Sequence, residues 1–140
     1  MSELGIKERH VSGVTILDTV GRLRIGLRFG RSSVTLAEAT IALLASGQGN
    51  ILLNLNGVNV LSAKELGDLV WSHLEITKHG GQFKLFNLTP NTRELMLSTK
   101  LSTVLDFYES EKEALESFDK NVTLEVKLSA IPLSASQGER

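Results

Sequence analysis

Ile51-Leu52-Leu53-Asn54-Leu55-Asn56-Gly57-Val58-Asn59-Val60-Leu61-Ser62-Ala63-Lys64-Glu65-Leu66-Gly67 is the stretch on which the fold turns. Its first five residues form a short, nearly continuous apolar run, the pattern of a strand covered on both faces. Asn56 and Gly57 then interrupt the run as turn formers. Ser62-x-x-Glu65 follows, a capping box in which the serine oxygen takes the N–H of the third helical residue and the glutamate reaches back. No Asp, Glu, Lys or Arg occurs from Ala39 to Ala63. That window is still no membrane span, which needs about 20 predominantly apolar residues, because Gly47, Gly49, Asn50, Asn54, Asn56, Gly57 and Asn59 break it. It predicts a helix end, a tight turn, a central strand and the start of a second helix.

Working outward toward the N-terminus, residues 6–11 and 14–17 read as two strands joined at Ser12-Gly13, a two-residue hairpin signal. Residues 21–25 alternate and are expected to extend the sheet. Thr35-x-x-Glu38 is another capping box, opening a helix that runs through Ile41, Leu44 and Ala45 and stops at Gly47. Toward the C-terminus, the helix opened at Ser62 runs to about Lys78, with Leu66, Leu69, Val70, His73 and Leu74 at helical spacing and Gly80-Gly81 as its stop. Residues 83–86 read as a strand. Thr89-Pro90 supplies an N-cap followed by proline at the first helical position, with Leu95, Met96 and Leu97 on the buried side. Residues 104–107 read as a short strand, and Ser110-x-x-Glu113 caps a last helix ending near Phe118. Strands and helices alternate from residue 35 onward, the signature of a sheet with parallel crossovers and helix cover. Val122, Leu124, Val126 and Leu128 alternate strictly, so residues 121–128 read as an extra edge strand, pairing with this chain's own sheet or with a second copy. Residues 129–140 read as a loose tail.

Composition limits the chemistry. The chain has 140 residues, a net charge of −1 and no cysteine. That is one domain's worth of sequence. The missing cysteines exclude a disulfide framework, a thiolate zinc site and a cysteine nucleophile, and they fit a reducing compartment. The balanced charge gives no general attraction to nucleic acid or anionic membranes. The polar first ten residues do not read as a signal peptide. There is no nucleophile elbow, phosphate loop or Gly-x-Gly-x-x-Gly fingerprint. His73 and His79 are six apart, off a common helical face, with no carboxylate at ligand spacing, so no metal or cofactor is expected. Arg22, Arg24, Arg28 and Arg31 form a basic run open to two readings. One is an anionic or acidic-partner contact, and the other is a solvated strand edge.

The quoted segment, together with Gly80-Gly81-Gln82-Phe83-Lys84-Leu85-Phe86-Asn87-Leu88-Thr89, Ser98-Thr99-Lys100-Leu101 and Glu113-Ala114-Leu115-Glu116-Ser117-Phe118, resembles the STAS domain, the fold of bacterial anti-sigma factor antagonists. The resemblance covers roughly residues 5–119. It implies an α/β fold, a mixed β-sheet with about four helices, formed by residues 1–119, with 120–140 as a C-terminal extension. It also implies a cytoplasmic, non-enzymatic protein that binds an anti-sigma factor or related kinase-like regulator, with neither nucleic-acid binding nor membrane insertion.

The family's strand-to-helix junction carries Asp-Ser-x-Gly-Leu-Gly, and its serine is phosphorylated by the partner kinase. Aligned on Leu66-Gly67, the aspartate becomes Ser62, the phosphoacceptor becomes Ala63 and the glycine becomes Glu65. The switch serine is lost. Ser62 stands one residue early, either as a displaced acceptor at a helix N-terminus or as a plain N-cap. The resemblance further implies a docking surface on this junction and the following helix, here Asn59, Leu61, Ser62, Lys64, Glu65, Asp68 and Trp71, with Arg28 and Arg31 nearby. The apolar arc of that helix is expected to centre on Leu66, Val70 and Leu74, leaving Trp71 at its margin beside Lys64, Glu75 and Lys78. Two other readings stay open. One is a structural subunit of a stress-sensing scaffold or lipid-transport assembly. The other is an enzyme or nucleotide binder, which requires a convergent polar pocket holding some of His73, His79, Arg28 and Ser62.

Overall fold

The computed structural model describes residues 5–28 and 32–118. The expected strand at 121–128, the tail, and Phe29 and Arg31 of the basic run lie outside the described residues. In chain order the elements are β1 (Glu8–Val11), β2 (Val14–Asp18), β3 (Arg24–Gly26), β4 (Ser33–Thr35), α1 (Leu36–Ala45), β5 (Asn50–Asn54), α2 (Ala63–Lys78), β6 (Gln82–Phe86), α3 (Pro90–Ser98), a short 3-10 turn (Leu101–Thr103), β7 (Asp106–Tyr108) and α4 (111–118).

Five strands form one mixed sheet in the order β1-β2-β5-β6-β7. β1 pairs antiparallel with β2, and the other three pairings are parallel. β5 lies at the centre, and Ile51, Leu52 and Leu53 are all fully buried, as its unbroken apolar run requires. Successive side chains of a strand point to opposite faces, so Ile51 and Leu53 join a core under α1, α2 and α3, including Leu36, Leu43, Leu69, Ile76 and Met96. Leu52 joins a second core on the other face with Val14, Ile16, Phe86 and, from α4, Ala114 and Phe118. Lys84 of β6 is buried there too. Its ammonium lies 3.4 Å from the Tyr108 hydroxyl and 3.8 Å from an Asp106 carboxylate oxygen, and 5.2 Å from the Phe118 ring centroid. Those partners offset the cost of burying a cation.

Several expectations shift in register or rotation. Residues 21–25 do not extend the main sheet. The chain reverses at Gly21 (φ 88°), so β3 pairs with β4 in a separate ribbon, and Ile25 bridges back to Thr19. The last strand starts two residues later than expected, because Lys100 takes a left-handed conformation and residues 101–104 turn first. Leu97 of α3 faces outward rather than inward. Most consequentially, α2 buries Leu69, Ser72 and Ile76 rather than centring on Leu66, Val70 and Leu74. Ser72 is tolerated inside because the Thr40 hydroxyl of α1 donates to its Oγ at 3.0 Å. No helix among the described residues is long and apolar enough to cross a membrane.

The turn into β5 and the turn into β6 touch backbone to backbone. A Cβ on Gly81 would stand 2.9 Å from Gly49 Cα and closer still to its carbonyl. Gly81→Ala is therefore expected to destabilise by about 1–3 kcal/mol or more. Gly67→Ala, on open α2 surface, is expected to stabilise by about 0.8–1 kcal/mol. Urea midpoints of the two variants check both signs.

Candidate partner-binding site

β5 ends at Asn54, and the eight residues to Ser62 carry the chain to α2. Leu55, Val58 and Leu61 are buried and nail the loop to the sheet end, while Asn56, Gly57, Asn59 and Val60 face outward. The turn uses Gly57 at φ 82°, a conformation available to glycine without strain. The hydroxyls of Thr89 and Thr92, at the start of α3, donate to the Val58 carbonyl at 3.0 and 2.6 Å. The point at which α2 starts is thus set by β5 and α3 together.

At that start the capping box is complete. Ser62 Oγ accepts the Glu65 N–H at 3.1 Å, and the Glu65 carboxylate accepts the Ser62 N–H at 2.8 Å. Arg22 lies 3.5 Å from the same carboxylate. The bond from the Ser62 backbone, with help from the Ser62 side chain and Arg22, lowers the Glu65 pKa against the opposing effect of burial. A second complete box, Thr35 with Glu38, starts α1 alongside. A cleft of about 220 Å³ lies at these two helix starts, lined by Arg22, Arg24, Thr35, Ser62, Lys64 and Asp68 among others. Arg24 is held by Ser33, through Nε to Oγ at 2.7 Å and Nη2 to the carbonyl at 2.8 Å.

Of the residues singled out in the sequence, Asn59, Ser62, Ala63, Lys64 and Trp71 are exposed, and Asp68 and Glu65 are half-buried. Leu61 is buried and acts as a loop anchor. Arg22 and Arg24, rather than Arg28, line the cleft at the junction. Arg28 sits at the mouth of the β3–β4 ribbon, its N–H donating to the Gly5 carbonyl at 2.7 Å. His73, His79, Arg28 and Ser62 do not converge. Ser62 and His79 cap opposite ends of a 16-residue helix, roughly 24 Å apart at 1.5 Å per residue. His79 Nδ1 lies 2.8 Å from the Glu75 carbonyl, and the buried His73 Nδ1 has no hydrogen-bond partner among the described residues. No group of three metal-ligating side chains occurs among the described residues.

The rotation of α2 brings out Leu74, which the sequence places inside, beside Trp71 at the margin. Leu74 is 57% exposed, Trp71 37% and Val60 74%. Trp71 and Leu74, with Ala63 and Gly67, lie on the outer face of α2 near Lys64 and the Glu75–Lys78 ion pair, and Val60 stands exposed on the loop before the helix. The signal was present in the sequence, since α2 has apolar residues on more than one side and only one side can be covered.

The architecture matches solved structures closely enough to name. An anti-sigma factor antagonist (STAS) domain protein from Planctomyces limnophilus has a TM-score of 0.59 and 24% identity over 80% of this chain and 96% of its own. An anti-sigma factor antagonist from Mycobacterium paratuberculosis scores 0.60 at 21% identity, over 80% and 91%. The phosphorylated form of the Bacillus cell fate determinant SpoIIAA scores 0.56 at 14% identity, over 81% and 98%. The chain has the STAS fold. At these identities the likeness is one of fold. No protein-family model matches the sequence, and no curated protein matches it. In this STAS fold the junction holds Ala63, with no hydroxyl, and Ser62, whose oxygen is engaged in the cap.

The lowered Glu65 pKa gives the cap a pH signature. A depressed carboxylate stabilises fully above its unfolded value of 4.5 and loses that contribution as pH falls through its folded value. The stability gap between wild type and Glu65→Gln is therefore expected to be constant well above pH 4.5 and to close as the pH falls below it. Urea unfolding at a series of pH values measures it. Ser62→Ala is expected to cost about 1 kcal/mol at neutral pH.

Proposed function

We propose that this chain is a non-enzymatic regulatory domain of the anti-sigma factor antagonist kind, working in the cytoplasm by binding an anti-sigma factor or kinase-like partner, without the usual serine phosphorylation switch. The observation that carries this reading is the exposure of Trp71 and Leu74 on α2, and of Val60 on the loop before it, beside a junction that lacks the acceptor serine. An exposed apolar patch rimmed by charges marks a surface made for another protein. Trp71 is the natural anchor, because it supplies a large contact area at low entropic cost. Lys64 and the Glu75–Lys78 pair, 3.8 Å apart, flank it as a rim of mixed charge.

Loss of the switch follows from atoms. Ala63 has nothing to phosphorylate. Transfer to Ser62 requires its oxygen to leave the Glu65 N–H, breaking a cap generally worth about 0.5–2 kcal/mol. It would also bring a phosphate against the Glu65 carboxylate, already held at the same helix start. Such a protein binds its partner constitutively, and its output is governed by its amount.

Two measurements test the proposal. Titration against the anti-sigma factor kinases of the source cell is expected to find one that binds, with Trp71→Ala weakening it by about tenfold or more at 1.4 kcal/mol per decade. Incubation of that kinase with ATP is expected to leave the protein unmodified by mass spectrometry. Stoichiometric phosphate on Ser62 would overturn the unswitchable reading, and co-purification with a membrane transporter or a multi-protein particle would overturn the anti-sigma partner.

A further inference from the structure

Asn54, the last residue of β5, binds on every side. Its Nδ2 donates to Asp18 Oδ1 at 2.8 Å, and its Oδ1 accepts the Asn56 N–H at 3.0 Å and Asn87 Nδ2 at 3.3 Å. Its main-chain carbonyl accepts the Thr19 N–H at 3.2 Å and the Thr19 hydroxyl at 3.0 Å. Only one orientation of the amide satisfies this set, since a flip would turn the carbonyl oxygen onto a carboxylate and the NH2 onto an N–H. Asp18 is in turn gripped by Arg9, at 2.8 and 2.9 Å, and Arg9 reaches Glu111 of α4 at 3.0 Å. A line of bonds thus runs from the helix on one face of the sheet, through its edge strand, to the loop that begins the docking surface.

The bond to Asn56 bends the chain immediately after the strand. It is an Asx-type closure, in which the side chain stands in for a backbone turn. Gly57 follows at φ 82°, and then Val58 enters the core, where Thr89 and Thr92 take its carbonyl. The loop is held at residue 54 from one side and at residue 58 from the other, and the start of α2 follows from both.

We infer that Asn54 is a positioning residue of the docking surface: held by Asp18, it fixes the loop of residues 55–62, Val60 included, and hence the place and direction from which α2 presents Lys64 and Trp71. This rests on the docking reading above for its consequence, and on the loop alone for its first test. Amide hydrogen exchange by NMR on the full chain supplies that test. In the wild type the N–H groups of Asn56 and Val58 are expected to be protected. Asn54→Ala is expected to speed their exchange about five- to tenfold, the loss of one hydrogen bond, while Leu52 and Leu53 in β5 keep their rates. Asp18→Ala is expected to act in the same direction. Asp18→Asn, which keeps an oxygen for Asn54 and drops the charge facing Arg9, is expected to stay near wild type. Should Asn54→Ala not fold, Asn54→Ser keeps a short acceptor for Asn56 without reaching Asp18, and is expected to speed exchange by a smaller factor.

Unchanged exchange at Asn56 and Val58 in Asn54→Ala, or acceleration shared equally by β5, would overturn the inference. So would Asp18→Asn behaving like Asp18→Ala, which would reduce Asp18 to an ion-pair partner of Arg9. With an anti-sigma factor that binds the wild type, Asn54→Ala is expected to weaken affinity by about fivefold or more, whereas Trp71→Ala weakens it with loop exchange unaltered. A loosened loop at unchanged affinity would sever the loop from docking. If no anti-sigma factor binds the wild type, the partner reading fails while the exchange result stands or falls independently.

Discussion

Everything in the molecule depends on β5 being covered on both faces. A parallel strand between two other parallel strands has no wet side, so Ile51, Leu52 and Leu53 demand helices above and below. The three crossover helices supply one cover and α4 the other. The same burial forces the polar work of β5 to its ends. Asn50 and Asn54, the residues that bound the apolar triplet, are only half-buried, and at Asn54 the chain must leave the sheet. The loop that leads to α2 begins there because it is the first place where the strand can be polar.

Strand order also bears on what kind of site the fold offers. Ligand crevices in open α/β sheets form where successive strands depart in opposite directions. Here β5, β6 and β7 follow β2 in steady order across the sheet. Connections therefore do not diverge at its carboxyl end, and the space above the strands is filled by Leu55, Val58 and Leu61 of the loop itself. What lies at the junction is a cleft between two capped helix starts, with the carboxylates of Glu38 and Glu65 on the N-cap N–H groups of Thr35 and Ser62.

Much of this was legible in the residues. Capping boxes are read directly, because they state the chemistry of a helix start in four letters; Thr35–Glu38 and Ser62–Glu65 both close as written. The buried strand was equally plain. The rotation of α2 was not, because periodicity identifies a buried face only when the other side is polar. Leu66, Val70 and Leu74 make as good a row as Leu69 and Ile76, and Ser72 argues against the face that is in fact inside. A partner on another helix, Thr40, reverses that argument, and nothing local to α2 announces it. The β3–β4 ribbon was misassigned for a similar reason: alternation shows that a segment is a strand, not which edge accepts it. Asn54 was legible only as an interruption of an apolar run, since its partners lie at residues 18 and 87.

The outward turn of Trp71, Leu74 and Val60 carries a cost that the fold alone does not justify. Water contact on large apolar side chains forgoes about 25 cal/mol for each square ångström left exposed, and α2 has small or polar alternatives at neighbouring positions in Ala63, Gly67 and Thr77. Meanwhile the loop before the helix is over-determined, with two hydroxyls on one carbonyl and one amide bound on every side. Rigid presentation reduces the ordering entropy that association must overcome, and exposed apolar area supplies the gain when it is covered. The two features make sense as a pair. A loose loop would squander that area, and a rigid loop without it would present nothing. Their coincidence beside Ala63, which carries no hydroxyl, is what makes the proposed binding role the economical reading of the junction.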